Sequence, residues 1–228
     1  MWKILLILSL PPLLASIVCA HFFGQRAIGR RADRELPITA HSLLERLLKV
    51  TESTNSGLEI RTRLGLSRFE DDRLILTQVE AEEQTVSGLG KAVWLAGLRQ
   101  VHEQTPQLVK WWQSARTFGQ IVVPFVWVLA VLAAFALRMS SAVALSLAIG
   151  AVGLSCVLCL AQIPMHLQAV RYGRQLLERA RVFNRLDDEE AVMMSAKGWA
   201  FSEALPVCLN FLVVSRKRTG KPRLPGPA

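Results

Sequence analysis

Two long stretches without a charged residue constrain this chain more than any other feature. Residues 118–137 (FGQIVVPFVWVLAVLAAFAL) run for twenty positions, and after Arg138-Met139-Ser140 residues 141–163 (SAVALSLAIGAVGLSCVLCLAQI) run for twenty-three. A helix that crosses the ~30 Å hydrocarbon layer needs about 20 apolar residues. Both stretches meet that length, and the short link between them implies an antiparallel transmembrane hairpin over 118–163. Pro124 is compatible with a span, because neighbouring groups in a bilayer satisfy the backbone that proline frees.

Residues 1–23 (MWKILLILSLPPLLASIVCAHFF) place an apolar run after Lys3. Arg26, Arg30, Arg31 and Arg34 follow at once, and such a cluster stays on the cytoplasmic side of a span. The segment therefore reads as an uncleaved signal anchor rather than a cleavable signal peptide, bent near Pro11-Pro12. A further apolar helix at 199–214 (WAFSEALPVCLNFLVV) is short and carries Glu203, Pro206 and Asn210. It is a possible fourth span. Counting Lys and Arg near the membrane ends puts residues 24–117 and 164–198 in the cytoplasm and the hairpin tip outside. The expected fold class is a mainly α integral membrane protein of inner- or plasma-membrane type. It has three transmembrane helices, or four if 199–214 crosses, and a small α+β cytoplasmic part.

The chain carries 27 Lys and Arg against 18 Asp and Glu. That excess does not indicate nucleic-acid binding. Residues 24–117 are nearly balanced, so the surplus lies beside membrane ends and in the basic tail 215–228, which reads as disordered. Juxtamembrane basic residues attract anionic headgroups at about 1 kcal/mol each, which makes the lipid bilayer the expected partner. Cys19, Cys156, Cys159 and Cys208 all lie in apolar segments. The C-x-x-C at 156–159 falls inside a span, where no accessible, stabilised thiolate forms.

In the soluble regions, Leu43, Leu44, Leu47 and Leu48 predict a short amphipathic helix over 41–50. Alternation over 58–68 and 73–79 around Glu70-Asp71-Asp72 predicts a β-hairpin. A helix is expected over 87–104, and Pro106 fits the first turn of another towards Arg116. The Trp111-Trp112 pair just before the second span reads as a marker of the headgroup level. Residues 165–186 read as a long arginine-rich helix, and Asp187-Asp188-Glu189-Glu190 starts the next, where acidic groups complement the helix dipole.

The order of these parts resembles the YugP-type family of neutral zinc metallopeptidases, which are membrane proteins. The segment 68–77 (RFEDDRLILT) is similar to the family's extended stretch before its catalytic helix. Residues 86–104 (VSGLGKAVWLAGLRQVHEQ) match in frame the helix containing A-x-H-E-x-G-H-A-x-Q-H, with Gly97 and His102 at its glycine and trailing histidine. Residues 164–171 (PMHLQAVR) resemble the family's P-x-E-F-x-A-S-x-R stretch. The resemblance implies a metallopeptidase-like α+β region and a catalytic zinc.

The zinc chemistry is where the sequence departs. Histidines four apart on one helical face bind zinc while the intervening glutamate acts as general base. Here those positions are Trp94, Leu95 and Leu98, so no catalytic residue carries over. The acidic residue of the later stretch is replaced by His166. The only substitute ligand set is His102, Glu103 and His166, and a lone histidine on a mostly apolar helix is more often core. The expectation is a metallopeptidase relative without zinc or other cofactor. It would bind another membrane protein, such as an active paralogue or a former substrate. The alternatives are an active zinc peptidase using that variant set, and an unrelated membrane anchor.

Overall fold

The computed structural model describes residues 2–29, 34–50, 58–61, 68–70, 73–136 and 140–212. Ten α-helices occur among them. Helix α1 (Trp2–Val18) continues through a π-helical stretch, Cys19–Gln25, into α2 (Arg26–Gly29). Helix α3 (Ala40–Val50) follows, then three short strands, β1 (Leu58–Arg61), β2 (Arg68–Glu70) and β3 (Arg73–Thr77), and the single turn α4 (Gln78–Ala81). Then come α5 (Val86–Gln104), α6 (Pro106–Thr117), a π-helical stretch Phe118–Val122, α7 (Val123–Ala136), α8 (Ser141–Leu160), α9 (Ile163–Ala180) and α10 (Leu186–Ser202).

Three continuous helical runs are long and apolar enough to cross a membrane: Ile7–Gly29, Pro106–Ala136 and Ser141–Ala180. The first extends past the expected boundary at residue 23, and there Gly24 and Gly198 let the π-helical stretch and α10 approach backbone to backbone. A Cβ at Gly24 would lie 3.2 Å from the Ser202 amide, and one at Gly198 would lie 2.9 Å from the Gly24 carbonyl. Helical geometry runs unbroken through Pro11 and Pro12. In the second run the π-helical turn immediately precedes Pro124, and the Val123 amide reaches back to the Phe118 carbonyl. Proline lacks an N–H and crowds the carbonyl four residues earlier, and a widened turn there absorbs both defects.

Helix α8 packs against both α1 and α7. Ser9 meets Gly153, while Ala130 clusters with Ala144 and Ala148. Outward, α1 and α7 present Ile7, Leu8, Phe125, Leu132 and Phe135, all more than half exposed. Apolar surface of this extent on three adjacent helices far exceeds the few hundred Å² usual on a soluble monomer.

The main core is built around α5, and the start of the second run and the end of the third join it. Thr85 caps that helix by accepting from the Gly88 amide at 3.2 Å. Pro106 ends it by starting α6. Every residue from Gly88 to Arg99 is buried, between α3, α9 and α10. Leu43, Leu44 and Leu47 of α3 are fully enclosed against it, as the 41–50 periodicity predicts. Trp94 lies beside His166, Gly97 beside Ala169 and Gly173 beside Val93, and Gln104 bonds Tyr172, so α5 and α9 are packed backbone to backbone. At their crossing a Cβ on Gly97 would fall 1.8 Å from the Ala169 carbonyl oxygen, so only glycine fits.

Several expectations are corrected. The antiparallel pair expected around residues 70–72 is present as β2 with β3, but its first arm is only Arg68–Glu70, and Leu58–Arg61 is a separate strand. β1 pairs with β3 in parallel, Leu58 opposite Leu74, and β2 pairs with β3 on its other edge, antiparallel, Phe69 opposite Leu74. The sheet order is β1-β3-β2. Residues 71–72 of the expected turn lie outside the described residues. β3 stops at Thr77 rather than 79, because the Thr77 side chain caps α4: it donates to the Glu80 carboxylate at 2.8 Å and accepts from the Glu80 amide. The helix expected over 165–186 ends at Ala180, where Arg181 adopts left-handed backbone (φ 45°) and its amide bonds the Leu177 carbonyl. The segment 199–214 is not a single helix: α10 ends at Ser202, the chain turns before Pro206, and a 3₁₀ helix spans Val207–Leu212. Arg138 at the hairpin tip and the tail 215–228 lie outside the described residues.

Candidate functional site

The residues singled out in sequence come together only in part. Trp94 projects from α5 onto His166 of α9, ring centroids 5.6 Å apart and tilted by 45°. Trp112 of α6 meets the same imidazole edge-on, also at 5.6 Å. His166 is fully enclosed, and Trp94 and Trp112 are almost so. Leu95 and Leu98 are buried in the adjoining core.

The helical register explains the clustering. Ser155, Gln162 and His166 recur at seven and four residues along the continuous run 141–180, so they share one face. Ser155 faces Gly119, where a Cβ would fall 2.8 Å from its hydroxyl, and His166 faces Trp112, six residues before Phe118. The α6–α7 helix and the α8–α9 helix thus stay paired from the apolar spans into the main core. Trp111 and Trp112 do not act as one marker: Trp111 is 43% exposed, while Trp112 is 3% exposed and belongs to the core.

Neither nitrogen of His166 has a hydrogen-bond partner among the described residues, and the same holds for Trp94 Nε1 and Gln162 Nε2. An unsatisfied buried polar group costs about 1–3 kcal/mol. Each ring pair returns about 0.5–1.5 kcal/mol beyond its burial. This is one imidazole held between two indole rings, Trp94 of α5 and Trp112 of α6.

Zinc does not fit these residues. Trp94, Leu95 and Leu98 offer no metal donor, since the indole N–H is donor-only and leucine has no polar atom. Glu103 is ion-paired with Arg99, whose Nε donates to it at 3.1 Å. His102 is half-buried on α5, whereas His166 is held between the two tryptophans. Among the described residues no group of three or more His, Cys, Asp or Glu side chains is placed to hold a metal. His102, Glu103 and His166 are not brought together.

A second polar centre escaped the sequence reading. Lys91, 8% exposed, reaches Glu80 Oε1 at 2.6 Å and lies 5.0 Å from the Trp199 ring centroid. Trp199 donates its indole N–H to the Ser87 carbonyl at 3.0 Å. This knot ties α4, α5 and α10 together. Its sequence signal was the lysine at 91 in an otherwise apolar stretch of α5. No family model matches the chain, and neither curated proteins nor solved structures give a match.

Proposed function

We propose that the chain is a membrane-integral, non-catalytic binding or scaffold protein built on a metallopeptidase-like framework. Its soluble regions face the cytoplasm of an inner- or plasma-type membrane. Its partner is another membrane protein, either an active paralogue or a former substrate. The observation that carries this reading is the contact of Trp94 with His166 beside buried Leu95 and Leu98. These are the positions at which the resemblance expects ligating, acidic and proton-accepting groups, and they are neighbours in space though 72 residues apart. Aromatic and hydrocarbon side chains occupy that junction, so the general-base and Lewis-acid roles of a zinc peptidase have no bearer there. The sheet gives further support, since buried Leu74 and Leu76 of β3 join the core formed around α5.

The variant zinc-peptidase alternative requires His102, Glu103 and His166 on one ion, and Glu103 is engaged with Arg99. The test is incubation of the detergent-purified protein with a broad peptide library, with and without chelator. No cleavage above a heat-inactivated control is expected. Chelator-sensitive cleavage that disappears in His102→Ala or His166→Ala would overturn the proposal.

A further inference from the structure

The outward face of α9 carries Arg171, Arg174 and Arg179, all exposed, with Arg181 at its cap. On that face the only acidic residue is Glu178, which accepts from Arg174 Nε at 2.8 Å. The opposite face, Val170, Gly173, Leu176 and Leu177, is buried. Arginines near a span ordinarily serve the membrane surface, but the direction of α9 limits that explanation. The helix leaves the span beside the returning chain, His166 at Trp112 and Tyr172 at Gln104, so it rises from the bilayer instead of lying on it. At 1.5 Å per residue Arg171 stands ~12 Å beyond Ile163 and Arg179 ~24 Å. The headgroup layer is roughly 5–8 Å thick on each side, and the screening length at physiological salt is about 8 Å. Arg171 is within reach of lipid phosphate, whereas Arg179 and Arg181 are not. Arg181 also occupies left-handed backbone, a cap position that favours glycine.

We infer that this face of α9 is a docking surface for an acidic, Asp/Glu-rich peptide segment of a partner protein, held by the forked guanidinium groups. The inference deepens the scaffold reading by giving the chemistry of the partner, and it rests on the membrane placement in that reading. Guanidinium pairs carboxylates in bidentate geometry, and an extended acidic segment would run along the helix from Arg171 to Arg181.

The experiment uses the full chain in zwitterionic nanodiscs, titrated at 150 mM salt with a fluorescent glutamate-rich peptide as probe. Saturable binding is expected, weakened at least tenfold in R171Q/R174Q/R179Q and restored only in part in R171K/R174K/R179K, which keeps the charge but loses the bidentate fork. Binding in nanodiscs with anionic lipid should match that in neutral ones. Absent binding, unchanged binding by the glutamine variant, loss of binding in anionic discs, or an equally tight RNA homopolymer at the same residues would each overturn the inference. Thermal unfolding of the glutamine variant should equal that of the parent, since all three side chains are exposed. Zinc-dependent peptidase activity would sink the scaffold reading yet leave this binding untouched, so the two failures are distinguishable.

Discussion

Helices α5 and α7 use apolar residues in opposite ways. Helix α7 is the more apolar, yet only Val123 and Ala130 of its fourteen residues are buried. Helix α5 contains a lysine, an arginine, a histidine and four glycines or serines, yet its twelve residues from Gly88 to Arg99 are all buried. Apolarity in α7 lies on its exposed surface, as suits a helix long and apolar enough to cross a membrane. Burial in α5 is matched to neighbours: glycines admit the backbones of α9 and α10, and the one lysine brings its own carboxylate. Hydrophobicity therefore reports which medium surrounds a helix, and small residues report how closely protein surrounds it.

Substitutions break the two regions differently. The largest effect is expected at Gly97. With the Ala169 carbonyl 1.8 Å from a Cβ position, Gly97→Leu should prevent α5 from docking on α9, read as loss of a cooperative thermal transition in detergent. Leu98→Ala empties a fully enclosed position and should cost about 2–5 kcal/mol, measured by unfolding in mixed micelles. Leu132→Arg on α7 should leave the main core folded but reduce insertion by about 2.5–3.5 kcal/mol, measured by membrane integration in a glycosylation-mapping assay. A normal insertion efficiency for that variant would contradict lipid exposure of α7. The smallest effect is expected at Gly150 of α8, where a Cβ meets nothing within 4 Å. Gly150→Ala should change stability by no more than about 1 kcal/mol, in the stabilising direction.

The spans were legible because a charge-free run of twenty residues has few alternative environments, and α3 because four leucines fall on one stripe. The helix expected over 87–104 was legible in extent, since it runs Val86–Gln104 and gives way to the proline-started helix that follows, but its threonine cap was not read. Sheet order was not. Alternation marks a strand but not its partner, and the parallel pairing of β1 with β3 depends on a crossover through residues that carry no pairing signal. Trp111 and Trp112 have the same side chain and adjacent positions, yet one faces out and one lies against His166, a distinction set by a helix 50 residues downstream. The contact between Trp94 and His166 was not legible, since no local spacing links residues 72 apart. The α9 arginines were readable as one face of a helix, but the contacts that α9 makes through His166 and Tyr172 were not.

The central claim is that tryptophan and leucine occupy the place of a metal-binding set at the α5–α9 junction. Its most direct test is the metal content of the intact chain, purified in detergent without chelator and measured by mass spectrometry against protein concentration. The account predicts zinc far below one per chain, unchanged in His102→Ala and His166→Ala. One zinc per chain, lost in either variant, would contradict it.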